Sequence, residues 1–141
     1  MVDRRQQSTE AVETFFRQFT VETWQQSAAM LLPTANWEVY PATVGSKRGV
    51  TEHMRYLRDV MADYDSFLIT PRDLVASADG TVYCTARSDC QHKLLGAYGQ
   101  DYTFLLRVNE AGQIAYVREF VDSLYSAKFF GKVEKMKRGK L

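Results

Sequence analysis

Residues 113–124 read Gln-Ile-Ala-Tyr-Val-Arg-Glu-Phe-Val-Asp-Ser-Leu. The run is rich in β-branched and aromatic residues and predicts a strand over Gln113–Leu124. Three charged side chains, Arg118, Glu119 and Asp122, interrupt its apolar neighbours. An unpaired carboxylate is costly to bury, so carboxylates in such a strand are paired, exposed or functional. Side chains alternate along a strand, which puts Glu119 and Asp122 on opposite faces unless a bulge intervenes. In a regular strand only one of them looks inward. Asp122, with Phe120 and Leu124 on its own face, is expected to be that one, and desolvation there would raise its pKa toward that of a general acid. The other reading of Asp122 is a helix N-cap, with Asp122 or Ser123 bonded to the free N–H groups of a following helix.

Three further strands lead up to this one. Ser66–Ala76 and Thr81–Lys93 flank Asp79-Gly80, a pair that favours a tight hairpin. Tyr98–Val108 follows Gly96, and Asn109–Gly112 is a short loop. Before residue 65 the apolar period is 3.6 instead of 2. Val12, Phe15, Phe16 and Phe19 form one stripe of a helix over residues 8–25, with Ser8 or Thr9 as its cap. Ser27–Leu32 predicts a short helix stopped by Pro33, Asn36–Tyr40 a short strand ended by Pro41, and Thr51–Tyr64 a second amphipathic helix. A last helix is expected over 124–136. Helix, short helix, strand, helix and then a meander of long strands predict one α+β domain over 1–141, its core within about residues 8–130. A cone-shaped, curved antiparallel sheet closed by N-terminal helices would enclose a small-molecule cavity.

Composition limits the classes. The chain has 141 residues, 45% hydrophobic and 25% charged, ordinary for a globular protein. No apolar run approaches the roughly 20 residues that cross a bilayer, and the first residues hold no signal-peptide core, so a cytoplasmic protein without membrane contact is expected. Cys84 and Cys90 fall on one predicted strand, roughly 20 Å apart at about 3.3 Å per residue, too far for a disulfide. The net charge of +1 divides into +5 over residues 126–141 and −4 over the rest. An acidic body with a short basic tail (131–141) speaks against a nucleic-acid partner. No nucleophile motif, phosphate-binding glycine loop or dinucleotide fingerprint is present.

Several other side chains carry candidate chemistry. Tyr98 and Tyr102 share a strand face, where phenols either donate to a developing oxyanion or serve as aromatic core with a bonded tip. Glu38 shares a face with Asn36 and Tyr40, as a pocket base or an exposed residue. His53, near a helix start, is a proton shuttle or a neutral surface group. Arg72 follows Pro71 within a strand. Arg87 and Asp89 share a face, as a surface pair or a water-positioning pair. Cys90 and His92 are two potential ligands, too few for a zinc site.

Three segments in this order carry a resemblance: Pro41-Ala42-Thr43-Val44-Gly45, Gly96-Ala97-Tyr98-Gly99-Gln100-Asp101-Tyr102, and Gly112-Gln113-Ile114 leading into Glu119-Phe120-Val121-Asp122-Ser123. The chain resembles the SnoaL-like branch of the NTF2-like (ketosteroid-isomerase-like) superfamily, and most of all its small fungal members that serve natural-product pathways. The resemblance implies a homodimeric α+β cone with no metal or organic cofactor. It implies acid–base isomerisation or cyclisation of a polycyclic secondary metabolite. It points to Asp122, Glu119, Tyr102 and Tyr98 as catalytic groups, and Glu38, Tyr40, His53, Arg72 and Phe104 are expected to contact substrate. The superfamily also contains hydrolases and non-catalytic modules. An epoxide or lactone hydrolase using Arg87, Asp89 and Asp122, and a small-molecule-binding or scaffold protein, are therefore the alternatives.

Overall fold

The computed structural model of the protein describes residues 3–139. Its elements are α1 (Arg4–Gln18), α2 (Trp24–Ala28), β1 (Leu31–Tyr40), a 3₁₀ turn (Ala42–Val44), β2 (Ser46–Gly49), α3 (Val50–Met61), β3 (Tyr64–Ala76), β4 (Thr81–His92), β5 (Gly96–Tyr98), β6 (Asp101–Val108), β7 (Ile114–Val121) and α4 (Ser123–Lys137). The strands form one sheet in the order β2-β1-β7-β6-β4-β3, with β5 also paired to β4. The expected α+β architecture stands: a curled half-barrel with the N-terminal helices against its inner face. One pairing, β1 with β7, is parallel, so the sheet is mixed.

Alternation along the strands makes the two faces chemically different. On β4, Val82, Cys84, Ala86, Ser88, Cys90 and His92 are buried while the residues between them are exposed or half-exposed. The apolar stripe of α1 fills the inner face. Phe16 meets Phe104 edge-on at 4.9 Å, Phe19 stacks on Trp37 at 5.8 Å, and Phe19 meets Phe67 at 5.6 Å. Each such side chain removed from water contributes about 1.5–3 kcal/mol. α3 adds Leu57 and Met61 to the same core.

The structure moves several expected boundaries. α1 starts earlier, capped by Asp3, whose carboxylate accepts from Arg5 N at 3.0 Å. Ser8 therefore lies inside the helix, its hydroxyl bonded back to Arg4 O at 2.8 Å. β1 begins at Leu31, where a helix was expected, and accommodates Pro33. The register to β7 slips between Leu31 and Asn36, and a bulge is where a strand tolerates a residue without an N–H. β2 hides in the glycine-flanked loop after Pro41. The single strand expected over Tyr98–Val108 breaks at Gly99-Gln100 into β5 and β6. Gly80, at φ 87°, turns the β3–β4 hairpin; a Cβ there would collide with Val108 O. Among the described residues no helix is long and apolar enough to cross a membrane.

Candidate active site

The inner face is not filled completely. Between the sheet, the end of α1, α3 and the start of α4 lies a cavity of about 360 Å³. That is within the range of small-molecule sites, about 300–1,000 Å³. Its walls are largely aromatic and aliphatic: Phe19, Trp37, Leu57, Val60, Tyr64, Phe67, Ile69 and Phe130. Into this apolar space project Glu119, Arg48, His53, Tyr98, Tyr102, Gln100 and Ser126.

β7 decides which carboxylate faces the cavity. The strand runs without a bulge through the register Phe104↔Glu119 and Tyr102↔Val121. Val117, Glu119 and Val121 consequently point inward, and Tyr116, Arg118 and Phe120 outward. Glu119 Oε1 accepts a hydrogen bond from Trp37 Nε1 at 2.9 Å. Desolvation pushes the Glu119 carboxyl up to about 7, outweighing the Trp37 hydrogen bond and the positive charge of Arg48, which both favour the anion. A carboxyl at that value exchanges protons readily near neutral pH.

Arg48 reaches the cavity from β2. Its Nη1 donates to Ser46 Oγ at 2.8 Å, and its guanidinium lies 3.7 Å from the centre of the Tyr56 ring. Its Nε approaches His53 Nδ1 at 3.4 Å. Among the described residues Arg48 has no carboxylate within ion-pair distance. His53 is buried and stacked on Trp37 at 4.2 Å. Burial, assisted by the Arg48 charge, pushes its pKa down to about 3, so it is neutral in the physiological range. It braces Arg48 and Trp37 and does not shuttle protons near pH 7.

The two tyrosines meet. Tyr98 and Tyr102 hydroxyls stand 3.0 Å apart, and the Gln100 side-chain amide donates to Tyr98 Oη. Burial raises both phenols, so both are protonated. Gln100 Oε1 in turn accepts from Asp122 N at 3.2 Å and Ser126 Oγ at 3.1 Å, tying the strand break to α4.

The remaining expected residues lie elsewhere. Asp122 is exposed and caps α4, its carboxylate accepting from Tyr125 N at 3.1 Å. The expectation that it faces inward is thus corrected: strand parity turns it away, and the unsatisfied N–H groups of α4 claim it. Glu38 and Tyr40 lie on the outer face. Glu38 Oε1 accepts from Tyr40 Oη at 2.8 Å and Tyr116 Oη at 2.9 Å, and these bonds hold its carboxyl below the usual range. Arg72 is exposed on the outer face. Phe104 faces inward but is fully buried under Phe16, beneath the cavity floor. Arg87 pairs with Asp101 at 3.0 Å, and Asp89 is exposed, so the proposed hydrolytic pair lies outside the cavity.

Among the cavity groups that escaped the sequence reading, Trp37, Arg48 and Gln100 matter most to the site. Trp37 was visible as the inward partner of Val39. Arg48 was hidden because its strand looked like loop. Gln100 lies inside the quoted Gly96–Tyr102 segment, but nothing in its neighbours says that its amide turns inward. Burial pushes Cys84 and Cys90 up to about 12, leaving unreactive thiols. Among the described residues no group of three His, Cys, Asp or Glu side chains could hold a metal ion.

This architecture is the NTF2-like fold. An NTF2-like protein of unknown function from Exiguobacterium sp. 255-15 superposes with a TM-score of 0.62 at 15% identity, over 82% of this chain and 98% of that one. The BvnE pinacolase from Penicillium brevicompactum superposes with a TM-score of 0.83 at 17% identity, over 94% of this chain and 98% of that one. PrhC from Penicillium brasilianum gives 0.86 at 11% identity, over 95% and 92%. No protein-family model matches the sequence, and no curated protein matches it.

Proposed function

We propose that the protein is an acid–base isomerase or cyclase acting on a polycyclic secondary-metabolite intermediate, with Glu119 as its proton-transfer group. The observation that carries this reading is the Glu119 carboxyl, pushed up to about 7 and facing a largely aromatic cavity of about 360 Å³. Flat apolar walls suit fused rings, and their low local dielectric strengthens each polar contact made beside them. Glu119 begins as the carboxylate, held by Trp37, and takes a proton from the substrate. It returns that proton at another position to complete the rearrangement. The phenol pair Tyr98–Tyr102 holds the oxygen on which charge develops, and Arg48 supplies a fixed positive field. The fold shared with a pinacolase is consistent with skeletal rearrangement, although at such identity the likeness speaks for the fold alone.

Product analysis in heavy-oxygen water tests this. The expected result is a rearranged product of unchanged mass from the wild type and none from Glu119→Gln. A product carrying the heavy oxygen would replace this reading with a hydrolase. Binding without conversion would replace it with a carrier.

The protein also acts, in this reading, as a homodimer joined through the outer sheet face. That face exposes Leu68, Tyr83 and Phe120, at 42%, 52% and 45%. The Glu38–Tyr40–Tyr116–Arg118 network beside them is hydrogen-bonded within the chain through the two tyrosine hydroxyls.

A further inference from the structure

We infer that Gln100 is a positioning residue that fixes the direction of a hydrogen-bond chain, leaving the Tyr102 hydroxyl as a donor aimed into the cavity, so that the substrate presents an acceptor oxygen such as a carbonyl there. The inference rests on the cavity being the reaction site.

The direction follows from donors that have no choice. Asp122 N is a backbone N–H and can only donate, and it reaches Gln100 Oε1 at 3.2 Å. Turning the amide over would set its NH₂ against that N–H. The amide orientation is therefore fixed, and Ser126 Oγ at 3.1 Å adds a second donor to the same oxygen. Gln100 Nε2 then faces Tyr98 Oη and must donate to it. The Tyr98 proton has one neighbour left, Tyr102 Oη at 3.0 Å. With Tyr98 donating to it, Tyr102 keeps its own proton, which faces either the cavity or the Ser88 hydroxyl; Ser88 Oγ already accepts from Gln100 N at 2.9 Å, which leaves the cavity as the favoured direction. Both tyrosines line the cavity, and Tyr102 lies diagonally across the β6–β7 pair from Glu119, about 7–8 Å away by strand geometry. Each donor in such a chain polarises the next, so the last hydroxyl is the stronger donor. Its placement against Glu119 suits a substrate whose carbonyl is held while a neighbouring carbon loses a proton.

The chain has a built-in reversal. In Gln100→Glu at pH 8, a carboxylate bonded by Asp122 N, Ser126 and Tyr98 is ionised and only accepts. Tyr98 would then donate to residue 100, Tyr102 would donate to Tyr98, and no hydroxyl would face the cavity.

Neutron diffraction on deuterium-exchanged crystals of the wild type reads the direction. The expected map has the Tyr98 deuteron directed at Tyr102 and the Tyr102 deuteron directed into the cavity. A Tyr102 deuteron directed at Tyr98 or at Ser88 overturns the inference. Infrared spectroscopy of the neutral aromatic ketone 2-acetonaphthone, added to the full chain, reads the consequence. Its carbonyl band should move to lower wavenumber with the wild type and lose that shift with Gln100→Glu and Tyr102→Phe. No shift with the wild type, or a shift kept in Gln100→Glu whose circular dichroism matches wild type, overturns it. Neither measurement requires turnover, so an inactive protein that passes both would count against the proposed reaction and leave the hydroxyl direction standing.

Discussion

Trp37 Nε1 donates to Glu119 Oε1 at 2.9 Å across two parallel strands, β1 and β7. The bond joins the cavity's aromatic wall to its acidic group and opposes the desolvation of that carboxyl. Trp37→Phe keeps a ring in place and deletes the donor. The Glu119 midpoint should therefore rise further above 7. Carbon NMR titration of the labelled glutamate carboxyl measures it, and an unchanged or lower midpoint would contradict the electrostatic account.

Glu119→Gln should lower turnover by about 10²–10⁴-fold, the usual contribution of a positioned acid–base group. Asp122→Asn should leave turnover near wild type, because asparagine also caps helices well. Asp122→Ala should cost about 1 kcal/mol of stability through loss of that cap. Steady-state rates and chemical denaturation separate the two carboxylates. An inactive Asp122→Asn with normal stability would return the catalytic role to Asp122.

The rate should depend on pH through Glu119. As the initial base it must be ionised, so kcat/KM should rise with pH and inflect near 7. The inflection should vanish in Glu119→Gln. A falling limb through the same region would make Glu119 the initial acid.

Stability should follow the same group with a definite sign. The folded state holds the Glu119 proton up to about 7, whereas the unfolded chain releases it near 4.5. The stabilisation is complete below 4.5 and is lost as pH rises toward 7, by at most about 3 kcal/mol. His53 acts oppositely: lowered from 6.5 to about 3, it contributes stability above 6.5 that is lost as pH falls toward 3. Melting curves of wild type and Glu119→Gln from pH 4 to 8 should therefore converge at the acid end. At the neutral end the variant should gain relative to the wild type. Parallel curves would mean that the carboxyl is not desolvated in solution.

Phe120→Glu places a charge in the exposed aromatic patch of the outer face, where Phe120 stacks on Tyr40 at 5.2 Å. If that face joins two copies, sedimentation equilibrium should show a dimer for the wild type and a shift to monomer for the variant. An unchanged dimer would place the interface elsewhere.

Much of the fold was legible because periodicity records burial. The stripe Val12, Phe15, Phe16, Phe19 and the alternation of β4 announce which faces are covered. Asp79-Gly80 announces its own turn. β2 and the break at Gly99-Gln100 were not legible, since a four-residue strand that itself ends on a glycine, and a two-residue interruption, are too short to show a period. The candidate site was legible in part. Glu119, Tyr98, Tyr102 and His53 do line the cavity, whereas Glu38, Tyr40, Arg72 and Asp122 do not, and Phe104 lies under it.

The strand over residues 113–124 marks the boundary between the two kinds of knowledge. By itself the sequence determined that the last strand in chain order carries two carboxylates of opposite parity, because side-chain alternation is a local property of extended backbone. Only the tertiary structure decided which parity faces inward. That depends on which side α1 and α3 pack against, and on whether α4 starts soon enough to claim Asp122 as its cap. The same packing set the Gln100 amide under α4 and brought the Tyr98 and Tyr102 hydroxyls to 3.0 Å. Desolvation of Glu119 is likewise a property of the assembled cavity, and no neighbour in the sequence foretells it.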